Sequence, residues 1–131
     1  MLGQLARPDL VIVADFEAGL GTVLRLQGRP VDVVVVVVEP TASSLEVGRR
    51  AAEAVREGGL GRLVVTANRV RDRQDAVRVR AQLPGVEVLL VPDDPAIVLA
   101  EREGVAPLDA APQSPGVRAL VALGLNLLPP P

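Results

Sequence analysis

The chain contains no cysteine, no histidine and no lysine, and Phe16 is its single aromatic residue. Without Cys or His there is no thiolate or imidazole metal site, no Cys nucleophile and no Ser-His-Asp triad. A metal ion would have to be held by carboxylates. All 14 basic residues are arginines, so any positive charge offered to a ligand is a planar guanidinium rather than a compact ammonium. The net charge of -2 gives no support to a nucleic-acid partner. No apolar run reaches membrane-spanning length, and the start, "MLGQLARPDL", lacks a basic stretch followed by an apolar core. The expected location is therefore cytoplasmic, with no membrane partner.

At 131 residues and 49% hydrophobic content, the chain is expected to form a single domain over residues 1–131 with a core of its own. Four short β-branched runs, "DLVIVA" (9–14), "VDVVVVVV" (31–38), "RLVVTA" (62–67) and "VEVLLV" (86–91), are too short for globular helices and read as strands. The six valines Val33 to Val38 leave no polar face, which predicts a strand covered on both sides.

Helical segments lie between the later runs. Ser43 and Glu46 fit a capping box, with Leu45, Gly48, Ala52 and Val55 forming a stripe that stops at Gly58-Gly59. Asp72 caps a second segment carrying Ala76, Val79 and Leu83 on one face. Asp94-Pro95 opens a third that ends near Gly104, and Ser114-Pro115 opens a last one running toward Leu128. Strands alternating with helices predict an α/β fold, a Rossmann-like three-layer domain with a mostly parallel sheet of about four strands.

Ligands bind such sheets beyond the carboxyl ends of the strands. Those ends are Asp15 to Gly19, Glu39-Pro40-Thr41, Asn68-Arg69 and Pro92-Asp93-Asp94. A carboxylate at the tip of a buried strand can orient Mg²⁺ or its bound water, and a following glycine lets a backbone N–H approach a phosphate. Locally, Asp15 reads equally well as a cap of the next turn and Asn68 as a turn residue, while Pro92 to Pro95 read better as a plain turn and helix cap.

Longer stretches carry more information. "DLVIVADFEAGLGTVLR" resembles the D-x-E-A-G-L segment and downstream arginine of CooC-type ATPases, in the MinD/ParA branch of P-loop NTPases. "VVVVVVEPTASSLEVGRRAAE" is similar to the family's strand, V-E-P turn and S-L-E-x-x-R helix, and "LVVTANRVRD" to its strand ending in N-[KR]-V. "VLLVPDDPAIVLAEREGVAPLDAAPQSPGVRAL" is similar to the closing V-P-x-D loop, E-x-x-G-x-P segment and final helix. The resemblance covers nearly all of this chain and the C-terminal half of a complete family member. It implies that Asp15 sits near Mg²⁺ or the attacking water, that Gly19 supplies a backbone contact near the γ-phosphate, that Asn68 hydrogen-bonds the adenine edge, and that Pro92 and Asp93 line the base pocket.

The family's P-loop, G-x-x-x-x-G-K-[ST], has no counterpart in a chain without lysine. In complete members it precedes the region where this chain begins, so Met1 falls inside what would be a longer protein. Without the P-loop amides and lysine, phosphate charge has no preorganised partner. The expectation is a chain that is not catalytic alone, binds ATP and Mg²⁺ weakly if at all, and depends on a P-loop-bearing partner chain, a homodimer or a missing N-terminal part. Loss of the P-loop strand also predicts that the strand at 10–14 re-pairs with a neighbour or is completed across an interface, since an exposed apolar edge invites aggregation.

Other readings compete. Gly19-Leu20-Gly21 and Glu39 have the spacing of a dinucleotide-binding unit, but Leu24 takes the third glycine's place and the intervening helix is too short. A receiver-type phosphoacceptor needs a lysine. The Arg-rich stretch "NRVRDRQDAVRVR" could touch nucleic acid, although Asp72 and Asp75 interleave its charges. The alternative of a different class is a non-catalytic interaction or regulatory module that kept the fold and lost the nucleotide.

Overall fold

A computed structural model of the protein describes residues 10–16 and 31–128. Among them, β1 (Val33–Val38), β2 (Arg62–Val70) and β3 (Glu87–Pro92) form one all-parallel sheet in the order β1-β2-β3. Helices α1 (Ala42–Gly58) and α2 (Arg73–Gln82) connect the strands, and α3 (Pro95–Glu103), α4 (Pro107–Ala110) and α5 (Pro115–Leu127) follow them. The alternation of strands and helices and the Rossmann-like character are as the sequence predicts. The sheet, however, has three strands among the described residues, not four.

The discrepancy lies at the first run. Leu10 to Phe16 has no regular secondary structure, and Val11 and Val13 are 66% and 87% exposed. Its β-branched residues suit a pleated surface, but a strand exists only through its ladder, and no described strand pairs with it. The predicted re-pairing of residues 10–14 with a neighbouring strand is therefore not found.

A second expectation is half right. In β1, Val38 is fully buried, whereas Val35 and Val37, on the opposite face, remain 36% and 63% exposed. The valine run makes a strand, but among the described residues β1 is the sheet edge, and its α1 side is the better covered.

That covered side holds the main core. Val38, Val65 and Ala67 pack with Leu45 and Ala52 of α1 and with Ala76, Val79 and Leu83 at α2. Gly48 is the point of closest approach: a β-carbon there would run into the Val38 side chain, so glycine lets α1 sit down on β1. On the other face α5 packs against β3, and Val91, which points away from the Leu90 side, is buried.

Helix ends follow local chemistry. Asp72 accepts the Asp75 N–H at the start of α2, and Asp94 with Pro95 opens α3, which ends on Gly104 at φ +67°. The predicted Ser43–Glu46 box is not the cap of α1. Thr41 is, its hydroxyl accepting the Ser44 N–H at 3.3 Å, while Glu46 turns to Arg49 and Arg50. The Ser44 hydroxyl instead accepts the Glu39 N–H at 2.9 Å, fastening the end of β1 to the first turn of α1.

Candidate functional site

Because the three strands run parallel, their carboxyl ends lie along one edge of the sheet, at Glu39-Pro40, Asn68-Arg69-Val70 and Pro92-Asp93. Val38 pairs with Ala67, and Ala67 with Leu90, in regular register. The register then slips, and the next partners are Val70 and Pro92. The slack is a bulge at Asn68-Arg69. Arg69 occupies the left-handed region at φ +57°, a conformation that is costly for a residue with a β-carbon.

Beyond the bulge the Asp93 N–H donates to the Val70 carbonyl at 3.0 Å, which ties the start of the Asp93-Asp94 loop to the end of β2. Asn68 is half-buried, and its amide makes no hydrogen bond to any described residue. Sequence reasoning marks Asn68, Pro92 and Asp93 separately; the structure brings them to the ends of adjacent strands. Bulges recur beside functional sites because they re-aim a side chain.

Charge at this edge is arranged in pairs. The Arg69 guanidinium reaches Glu39 at 3.5 Å across the tips of β2 and β1, and Arg78 donates to the Pro40 carbonyl at 3.2 Å. Asp75 is buried and organises the neighbourhood: it accepts the Arg71 N–H at 3.1 Å and pairs with the side chains of Arg71 and Arg78. The Arg71 amide is the main influence holding the Asp75 carboxyl below its ordinary range, against the opposing effect of burial, with the two guanidinium groups adding to it. Two of the arginines that gave the stretch 68–80 its basic look are thus partly neutralised by Asp75. The sequence places Glu39 and Arg69 separately at the ends of their strands; nothing in it signals that the two pair.

Asp94 is structural. Its carboxylate accepts the N–H groups of Ala96 at 2.9 Å and Gly116 at 2.7 Å, joining the starts of α3 and α5. The buried Ser114 hydroxyl makes no well-aligned hydrogen bond, yet its dipole beside the carboxylate is the largest influence lowering the Asp94 pKa, followed by the Gly116 and Ala96 amides. The plain cap reading of Asp94-Pro95 therefore holds.

Asp15 lies in the exposed Leu10–Phe16 segment rather than at the tip of a sheet strand, so no ladder among the described residues fixes its carboxylate. Gly19, Glu17 and Arg25 fall outside the described residues. Among the described residues no three acidic side chains cluster as a metal cage would require. A Mg²⁺ carried in with a nucleotide asks for only one or two carboxylates. No described helix is long and apolar enough to cross a membrane.

No protein-family model matches the chain. A protein of Methanocaldococcus jannaschii described as an uncharacterized ATP-binding protein is 31% identical to it over 100 residues, or 74% of this chain. The match spans 39% of that relative's length.

Proposed function

We propose that the carboxyl edge of this sheet is the base-binding part of a nucleotide site, in a chain of CooC/MinD-like type. Asn68 hydrogen-bonds the adenine edge, where an amide can donate and accept at once. Pro92 and Asp93 line the base pocket. The observation that carries this reading is the bulge: a half-buried amide without a hydrogen-bonding partner among the described residues, at the edge where open parallel sheets take their ligands. Similarity to a protein described as ATP-binding agrees with it.

Asp15 is assigned to Mg²⁺ or the attacking water and Gly19 to a phosphate contact, both by the family resemblance. With no lysine for a P-loop, the phosphates lack their usual grip, so the chain binds nucleotide weakly and does not hydrolyse ATP alone. A partner carrying a P-loop would supply the missing wall. The exposure of Val37 and Leu125, at 63% and 68%, favours a second reading as a protein-interaction module.

An NMR titration of the full chain with Mg·ADP tests the site. Shifts concentrated at Asn68 and Asp93, with affinity falling by roughly tenfold in Asn68→Ala for the loss of about one hydrogen bond, support it. Shifts confined elsewhere overturn it. ATP turnover by purified chain, abolished by Asp15→Ala, would overturn the claim that the chain is inactive alone.

A further inference from the structure

Two parts of the molecule have opposite deficiencies. β1 pairs only with β2 among the described residues, and along its six valines there is no charge, proline or glycine to protect the other edge. An edge of that kind is a template for strand addition. Its outer face is open too, with Val37 63% exposed.

Leu10 to Phe16 lacks what β1 offers. Its five large apolar side chains, Leu10, Val11, Ile12, Val13 and Phe16, are each between 40% and 87% exposed, and the backbone has no ladder among the described residues. The central residues are β-branched and suit an extended, pleated backbone. Extended, such a segment spans about 20 Å at ~3.3 Å per residue, the length of β1. Within one chain this segment does not lie on that edge.

We propose that two copies of this chain exchange these segments, Leu10–Phe16 of each lying along the free edge of β1 in the other. The arrangement is isologous: each copy gives an arm and receives one, which satisfies both deficiencies and closes at a dimer. Main-chain hydrogen bonds along the β1 edge supply affinity, and alternate side chains of the arm cover the exposed valines. The exchange requires no nucleotide and no second kind of protein.

Sedimentation equilibrium of the full chain tests it. The expected mass is twice the 13.7 kDa chain at micromolar concentration. Ile12→Pro removes a ladder donor from the arm, and Val37→Glu puts a charge on the receiving face. Both residues are exposed in the single chain, so far-UV circular dichroism stays unchanged while self-association weakens by roughly tenfold or more in each variant. A mixture of the two variants regains part of the association, since the arm of one and the edge of the other remain intact. A chain that stays monomeric at every concentration overturns the proposal. So does a dimer indifferent to both substitutions, or a monomer whose amides at 10–14 exchange slowly because the arm binds its own β1.

Discussion

Gly116 and Asp94 are in close contact: the Gly116 N–H donates to the Asp94 carboxylate at 2.7 Å, and a β-carbon on Gly116 would lie 2.7 Å from that of Asp94. The contact sets where α5 begins relative to α3, and hence how α5 lies against β3. Alanine at 116 forces the two apart, since Ile97 crowds the same space at 2.8 Å. Gly116→Ala is expected to lower stability by about 1–3 kcal/mol, the range for overpacking a closed site, read from urea denaturation.

Acid should weaken the fold through the same carboxylate and through Asp75. Both have pKa values lowered from 3.8, so each contributes stability above that unfolded value and loses it as the pH falls through the lower folded value. The urea midpoint is expected to hold from neutral pH down to about pH 5 and to drop below about pH 4. Asp94→Asn and Asp75→Asn begin from lower midpoints and fall less steeply. Glu46 is also lowered, by hydrogen bonds from Arg49 and Arg50, but it is exposed and salt screens its share.

Thr66 lies in the centre of the sheet, 3% exposed, with its hydroxyl unpaired among the described residues. Valine has the same shape without the desolvated oxygen. Thr66→Val is expected to leave stability unchanged or raise it by about 1 kcal/mol. A loss of more than that in thermal unfolding would mean that the hydroxyl has a partner.

Much of this architecture was legible in the chain because local chemistry decides it. The cap at Asp72, Asp94-Pro95 at the start of α3, the stop at Gly104 and the Leu45–Val55 stripe all form where the residue types dictate. Failures occurred where the answer depends on neighbours. The run "LVIVA" has strand composition, but composition cannot supply a ladder partner, and the valines of β1 look buried on both sides although β1 is an edge among the described residues. The sequence puts Asn68, Pro92 and Asp93 near the carboxyl ends of their strands, where they lie, although β2 runs on through Asn68 to Val70; the positive φ of Arg69 and its pairing with Glu39 were not legible. A bulge follows from the register of three strands together, which no local pattern encodes.

The central claim is a pocket wall that recognises a base and leaves the phosphates ungripped. Calorimetric titration of the full chain with adenosine, AMP and Mg·ATP tests it most directly. The account predicts that all three bind weakly, with affinities within roughly tenfold of one another, because added phosphates meet no preorganised partner. Mg·ATP binding far more tightly than adenosine would reveal a phosphate grip in this chain, and no binding by any of the three would remove the base site itself; either result contradicts the account.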